Sequence, residues 1–261
     1  MGLLKHEIKQ GKVSLAIWTA IIAFMLAVCI LIYPEMSSQM DEISGMFADM
    51  GDFSAAFGMD RINFGEFTGF FGVECGNVLG LGGAFFAALL GISALAKEEK
   101  EHTAEFLLTH PVRRRKVVSE KLLAVLLQIV ILNIVVIGVT MLSTLVIGEK
   151  PEFKTILLLF LAYFLLQVEI AAICFGISAF ISKGSLGIGL GMAALFYFLN
   201  IVANLSEDAK FLKYITPFGY TESADIIAEG CISREYLCVG AIFALLGIVA
   251  AYYRYSKKDI A

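Results

Sequence analysis

Residues 122–147 decide the fold, and they read LLAVLLQIVILNIVVIGVTMLSTLVI. This stretch contains no Asp, Glu, Lys or Arg. A helix needs about 20 predominantly apolar residues to cross the roughly 30 Å hydrocarbon core of a bilayer, so the stretch predicts a membrane-spanning helix. Five further apolar runs lie on either side of it, and together they predict an all-α protein with a single transmembrane domain over residues 1–261. The six predicted spans are 13–33, 71–96, 122–147, 156–181, 186–205 and 236–253.

The composition supports a membrane protein. Hydrophobic residues make up 59% of the 261 residues and charged residues 17%, whereas soluble domains average roughly 45–50% and about 25%. The mean hydropathy is +0.82. A single water-facing globule cannot bury this much apolar surface, which argues against a soluble enzyme and against a disordered scaffold. The net charge of −4 argues against a protein that grips nucleic acid through its phosphates.

Lys and Arg are distributed unevenly between the two sides of the predicted bundle. Fourteen of the 20 fall in the N-terminus, the loop 97–121, the turn at residue 183 and the C-terminal tail, and six fall in the remaining loops. Positive residues concentrate on the cytoplasmic side of membrane proteins. The sequence therefore predicts a multi-pass cell-membrane protein with both termini in the cytoplasm.

Two segments outside the spans have amphipathic patterns. In residues 3–12, Leu4 and Ile8 lie four positions apart, and lysines lie between and after them, which predicts a short helix lying on the lipid headgroups. In the loop after the first span, large apolar residues recur every three or four positions and predict an amphipathic outer helix. That helix either covers the outer end of the bundle or forms a gate for a substrate. Its apolar residues are Met36, Met40, Ile43, Phe47, Met50, Phe53 and Phe57.

The sequence offers no catalytic, metal or nucleotide site. It lacks the G-x-x-x-x-G-K-[ST] motif that cradles phosphates. His6 begins an H-E-x-x-H zinc motif, but Gln10 stands where the second His is needed. Ser185 has no His on any span to activate its hydroxyl, and the five Cys do not have the spacing of a metal site. We therefore predict that the chain is not an enzyme and holds no metal or cofactor itself.

Glu169 is the most unusual residue within the predicted spans. It lies near mid-depth, where a carboxylate costs about 2.5–3.5 kcal/mol or more, so it is expected to face the bundle interior or water. Asn133 falls at a similar depth on the preceding span and is a candidate hydrogen-bond partner, as is Gln167. Two interpretations remain open: a polar anchor in a translocation path, or an interhelical hydrogen bond worth about 1 kcal/mol.

A second set of polar residues is predicted near the outer ends of the spans. It consists of Glu74, Asn77, Asn200 and Asn204. These side chains either line an outer vestibule or extend to the lipid headgroups. The substrate-path candidates are therefore Glu169 and Asn133 at mid-depth, with Glu74, Asn77 and Asn200 above them.

The loop between the second and third spans carries the most distinctive pattern. Residues 98–116 read EEKEHTAEFLLTHPVRRRK. Thr103 is suited to N-cap a helix, and Glu105 suits the positive N-terminal end of that helix. Phe106, Leu107 and Leu108 supply an apolar side, and Pro111 ends the helix after two turns. A solvated charged loop is the alternative, but three consecutive large apolar residues favour a helix that docks in a groove on a partner.

This loop resembles the coupling helix of type-2 ABC exporter permeases. The resemblance rests on acidic residues followed by Thr-x-Glu-x-Leu-Leu-x-x-Pro-Val-x-Arg, and it runs from Glu98 to Lys121, which opens the next helix. The sequence departs from the family pattern at His102, where Gly is frequent, and at Arg113, where Ser is common. Residues 214–220 (YITPFGY) resemble the outer re-entrant hairpin that precedes the last helix in this family.

The resemblance implies the six-helix membrane subunit of an ATP-driven exporter in a bacterial plasma membrane. Its implied partners are two copies of an ABC ATP-binding subunit, which hold the ATP and Mg, and a second permease, identical or related. The implied substrate is amphipathic, such as a peptide antibiotic, a drug or a lipid-like molecule. A sodium-export permease, and an ATPase-coupled sensor or assembly factor without transport, remain alternatives. The implied coupling residues are Glu98, Glu99, Glu101, Thr103, Glu105, Leu107, Leu108, Pro111 and Arg114.

Overall fold

The computed structural model describes residues 2–37, 51–56, 61–63, 65–97, 113–181 and 186–257. Within these ranges every regular element is helical, and six helices are long and apolar enough to cross a membrane: α1, α3, α4, α5, α6 and α8. The predicted all-α fold with six spans is confirmed. The helices are α1 (Gly2–Ser37), α2 (Asp52–Ala56), α3 (Phe67–Ala94), α4 (Arg114–Ile147), α5 (Phe153–Ser178), α6 (Leu186–Leu205), α7 (Ser223–Glu229) and α8 (Arg234–Lys257).

Several helices extend beyond the predicted apolar spans. Helix α4 begins at Arg114 rather than at residue 122, and α1 begins at Gly2 rather than at residue 13. Hydropathy detects the lipid-crossing part of a helix, whereas the backbone hydrogen bonds continue through the charged turns that follow or precede it. The extra turns of α1 and α4 therefore project from the apolar part of the bundle.

The prediction of a separate interfacial helix over residues 3–12 is wrong, because these residues form the first turns of α1. They pack along α4 instead. The backbone N–H of Leu4 donates to Glu120 at 3.0 Å, and Glu7 pairs with Lys121 at 3.0 Å. These partners on α4 stabilise the polar start of α1 in line with its apolar part, while Lys5 remains exposed.

Helix α5 lies at the centre of the bundle. It packs against α3 on one side and α8 on the other, while α1 packs along α4. Among the six spans α5 is the most buried and α8 the least. The residues of α5 are therefore, on average, more enclosed by protein than those of any other span.

The bundle has two distinguishable ends. At the end that carries the start of α1 and the end of α8, which we call the terminal end, Ser119 of α4 lies 2.7 Å from Tyr252 of α8, hydroxyl to hydroxyl. At the opposite end, called the far end, Tyr33 donates to the carbonyl of Gly65 at 3.1 Å. The ring of Tyr33 also meets that of Phe67 edge-on, with centroids 5.2 Å apart. The far end is therefore held by contacts between α1 and the start of α3.

Helix α3 contains a π-helical stretch at Gly76–Leu81. Here the backbone makes wider turns than an α-helix, a feature that frequently marks functional sites. The stretch lies against Tyr163 of α5, and a Cβ placed on Gly80 would lie 3.0 Å from Cε1 of that ring. The absence of a side chain at Gly80 thus allows the Tyr163 ring to lie directly on the α3 backbone.

Between α6 and α8 the chain folds back into the bundle. We call residues 207–229 the inserted segment; it comprises the 3₁₀ turns Glu207–Tyr214 and Pro217–Tyr220, followed by α7. Thr216 donates to the carbonyl of Phe196 on α6 at 2.7 Å, and its hydroxyl accepts from the backbone N–H of Phe218 at 3.3 Å. The part of the sequence predicted to be a re-entrant hairpin is therefore buried against α6.

Three predicted features fall wholly or partly outside the described residues. Of the amphipathic helix predicted after the first span, the structure describes residues 36–37, which belong to α1, and residues 51–56, which include α2, where Ser54 is 1% exposed. The segment predicted to form the coupling helix, residues 98–112, lies outside the described residues, and so does the predicted turn 182–185.

Replacing Gly247 by Ala is expected to destabilise the bundle by about 1–3 kcal/mol, the usual cost of overpacking. A Cβ at Gly247 of α8 would lie 3.0 Å from the carbonyl carbon of Ala172 and 3.1 Å from Cα of Ile173. Both contacts are with the α5 backbone, which cannot rotate away, so the two helices must separate. SDS-induced unfolding in mixed micelles measures the change.

The matched control is Gly138→Ala on α4, where a Cβ meets nothing within 4 Å. Ala is favoured over Gly within a helix by roughly 0.5–1 kcal/mol, so this control is expected to be neutral or slightly stabilising. Equal effects at the two positions would contradict a close backbone contact between α5 and α8.

Candidate functional site

Glu169 lies in the interior, where α5, α8 and the inserted segment meet. It is 4% exposed, and its carboxylate accepts a hydrogen bond of 2.8 Å from the hydroxyl of Tyr220. The same carboxylate lies against Gly240 of α8, where a Cβ would lie 2.8 Å from Cδ of Glu169. Glu169 is sixteen residues into α5, roughly 24 Å along its axis. The inserted segment therefore reaches deep into the bundle.

Asn133 does not bond to Glu169, which corrects the partner suggested by depth alone. Its side-chain nitrogen donates to Oε1 of Gln167 at 2.7 Å and to the carbonyl of Ile129 at 2.9 Å. A Cβ on Gly83 would lie 2.8 Å from Cδ of Gln167, so α3 presses directly on this amide pair. Residues two positions apart on a helix do not share a face. Gln167 and Glu169 accordingly contact different neighbours.

Asn77 and Asn200 are brought together in one polar cavity of about 60 Å³ at the far end. Asn204, Tyr163 and Glu222 of the inserted segment line it too. The nitrogen of Asn204 donates to Glu222 at 3.0 Å and to the carbonyl of Ala56 at 3.3 Å. Two of the predicted substrate-path candidates thus share one site with residues from α2, α5 and the inserted segment.

Glu74 lies apart from this cavity. Its carboxylate accepts a hydrogen bond of 3.4 Å from the thiol of Cys29 on α1. It therefore faces the α1 side of α3, whereas Asn77 faces the cavity. The four polar residues predicted as one outer set belong to two different surfaces of the bundle.

A buried ion pair lies at the terminal end. Lys121 of α4 is 1% exposed, and its ammonium lies 3.0 Å from the carboxylate of Glu7 on α1. The same ammonium donates to the carbonyl of Ala94, the last residue of α3, at 2.7 Å. Lys121 therefore connects α1, α3 and α4 beside the two ends of the loop 98–112.

Of the implied coupling residues, only Arg114 is described by the structure. It is the first residue of α4 and is partly exposed. Glu98, Glu99, Glu101, Thr103, Glu105, Leu107, Leu108 and Pro111 lie outside the described residues. Among the described residues there is no group of three or more His, Cys, Asp or Glu arranged to hold a metal ion.

Sequence reasoning missed three of the residues that build these sites: Tyr220, Glu222 and Lys121. Tyr220 entered the sequence analysis only as part of the predicted re-entrant hairpin, and Glu222 lies just beyond it, where no span or periodic pattern indicates burial. Lys121 was noticed as a positive residue opening a helix, which is normally a solvated position. A signal was present, since it directly precedes the apolar run that begins at residue 122.

Replacing Tyr220 by Phe is expected to cost about 1–3 kcal/mol, because the buried carboxylate of Glu169 then loses its donor. Glu169→Gln should cost less, about 1 kcal/mol, since the amide oxygen can accept the same hydrogen bond. Unfolding of the purified variants in SDS mixed micelles compares the two. A Gln variant less stable than the Phe variant would show that the hydrogen bond is not what Glu169 contributes.

Comparison with known proteins agrees with this architecture. Residues 1–260 match the model of the ABC-2 family transporter protein. No curated protein matches the chain. A family match over essentially the whole length, on a bundle with six candidate membrane spans, identifies the class of the molecule. The chain belongs to the ABC-2 transporter family and is a multi-pass membrane permease subunit of an ABC transporter, which works with a separate ABC ATP-binding partner.

Proposed function

We propose that this permease exports an amphipathic molecule, such as a peptide antibiotic, a drug or a lipid-like compound, in an antibiotic-resistance or related role. It works as a dimer with an identical or related permease and with two ATP-binding subunits, which hold the ATP and Mg. Both termini face the cytoplasm of a bacterial cell. The excess of Lys and Arg at the terminal end supports this orientation.

The observation that carries the proposal is the pattern of residues 98–116 between α3 and α4. Its apolar Phe106, Leu107 and Leu108 suit insertion into a groove, and the acidic residues before them suit a charged rim. The neighbouring ends of α3 and α4 are joined by Lys121, which bonds to Ala94 and Glu7. A movement of the loop imposed by an ATPase would therefore be transmitted to three helices at once.

The interior supports an amphipathic substrate. The buried residues of the chain are mostly apolar, with isolated polar groups at Glu169 and at the cavity beside Asn77 and Asn200. Six helices form a small bundle, so a pathway between two permeases is favoured over one within a single chain. Glu169 is proposed as a polar group lining or adjoining this path.

Co-purification with an ATPase tests the proposal. The affinity-tagged chain is co-expressed with its genomic neighbours, purified in mild detergent and reconstituted in lipid. We expect an ABC ATPase to co-purify and to show vanadate-sensitive turnover that candidate substrates stimulate. Stimulation by sodium alone would favour a sodium-export permease, and turnover without transport would favour a sensor. A chain that purifies without a partner would overturn the proposal.

Transport kinetics of Glu169→Gln then separate a path residue from a structural one. A changed substrate range or rate, in a variant that folds and loses no more than the expected stability of about 1 kcal/mol, would assign Glu169 to the path. Unchanged kinetics would leave it with the structural hydrogen bond to Tyr220 alone.

A further inference from the structure

The polar cavity at the far end contains a buried carboxylate without a counter-charge. Glu222 is 8% exposed and accepts a hydrogen bond from Asn204 at 3.0 Å. It forms no ion pair with any residue that the structure describes. Arg61 and Lys213 lie against Asp225 instead, at 2.6 and 3.9 Å. A buried charge is normally paired, because removing it from water without compensation is costly.

Two further oxygen atoms at this cavity lack a donor. The side-chain nitrogen of Asn204 donates to Glu222 and to the carbonyl of Ala56, which fixes the orientation of the amide. Its oxygen is consequently left without a partner, and so is that of Asn200, both of them buried. Asn200 and Asn204 are four residues apart on α6, so they lie on the same face of the helix. The cavity thus combines one carboxylate with two buried amide oxygens, all of them acceptors.

Size and charge limit what such a cavity can hold. A volume of about 60 Å³ accommodates roughly four to six water-sized groups. Hard cations are bound by carboxylate and carbonyl oxygens, and Ca²⁺ takes six to eight of them, usually with several carboxylates. The cavity offers the single carboxylate of Glu222 among its described lining residues, which matches one positive charge. The oxygens come from the inserted segment and α6, so an ion between them would join these two elements.

We propose that this cavity binds a single monovalent metal cation, sodium or potassium, held by Glu222, Asn200 and Asn204. The bound cation neutralises the carboxylate and satisfies the two amide oxygens. It thereby fixes the inserted segment on α6. This site is independent of the export proposal, since it requires neither an ATPase nor a transported substrate.

The test is the thermal unfolding of the purified full-length permease in detergent, without ATPase. The midpoint is measured as NaCl or KCl replaces N-methyl-D-glucamine chloride at constant ionic strength. We expect a saturable rise with at least one of the two salts. We also expect about one tightly bound ²²Na⁺ per chain, displaced by potassium if potassium is preferred. An unchanged midpoint together with no bound ²²Na⁺ would overturn the proposal.

Single-residue variants test which side chains hold the cation. Glu222→Gln should abolish the rise while unfolding no earlier than the wild type in N-methyl-D-glucamine, because it removes an uncompensated charge. Glu229→Gln, an exposed acid on the same segment, is the matched control and should retain the rise. Asn200→Ala should shift the half-maximal cation concentration by about tenfold, as expected for losing one contact to a charge. This variant keeps the test decisive if Glu222→Gln fails to fold. A rise that persists unchanged in the Glu222→Gln or Asn200→Ala variant would overturn the assignment.

Discussion

Replacing Lys121 by Met is expected to destabilise the permease by about 3–5 kcal/mol, the usual cost of removing one partner of a buried ion pair. Met has a similar length but no charge. The substitution leaves the partly buried carboxylate of Glu7 without its ammonium, and the carbonyl of Ala94 without a donor that now lies at 2.7 Å. SDS-induced unfolding in mixed micelles gives the free energy.

The control for this prediction is Lys116→Met on the same helix. Lys116 is 62% exposed, and it lies 3.9 Å from Glu120, so its loss should change stability by less than about 1 kcal/mol. The double variant Lys121→Met with Glu7→Gln should recover much of the lost stability, because no unpaired charge remains. A Lys121→Met protein as stable as the Lys116→Met protein would show that the buried pair does not stabilise the fold.

The double substitution Leu107→Asp with Leu108→Asp is expected to abolish co-purification of the ATPase and all transport. Two charges placed on the apolar side of the predicted coupling helix would have to be buried in the partner's groove without compensation. Stability of the permease itself should be unchanged, because both positions lie outside the six spans. The measurements are the ATPase to permease ratio after affinity purification and substrate uptake into inverted vesicles.

Thr109→Asp is the matched control, since it introduces a negative charge beside the same residues at a polar position. It is expected to retain the ATPase. If the double Asp variant still captured the ATPase and transported substrate, the coupling assignment of residues 98–116 would be wrong, although membership of the ABC-2 family would stand.

The spans could be predicted from the sequence because lipid imposes a strong and local requirement. About 20 apolar residues must follow one another wherever a helix crosses a bilayer, and residues 122–147 meet this requirement without any reference to the rest of the chain. The polar extension of α4 from Arg114 could not be predicted in the same way. Its helical form depends on partners such as Glu7, which is more than a hundred residues away in sequence.

The interior polar contacts show the same limit. Depth along the spans indicated that Glu169 faces the bundle interior, which the structure confirms, but it offered Asn133 and Gln167 as partners of Glu169. The structure instead bonds Glu169 to Tyr220, and Asn133 to Gln167. Depth says nothing about rotation around the helix axis, and rotation decides which neighbour a side chain meets. Glu222 was missed altogether, because a lone acid in an irregular segment has no pattern that distinguishes buried from exposed.

The wide π-helical turns at Gly76–Leu81 give α3 two halves with different angular phases. One residue corresponds to about 100° of rotation in an α-helix, so the stretch behaves as a one-residue insertion that both halves tolerate. Deleting one residue there would restore a regular helix with both halves in place, whereas regular α-helical turns over all six residues would turn the segment from Phe67 to Cys75 by roughly that angle relative to the remainder. Phe71, now 1% exposed, would leave the core, and Glu74 would leave Cys29. The rotation of one half of α3 relative to the other is thus set by six residues that no hydropathy profile distinguishes from their neighbours.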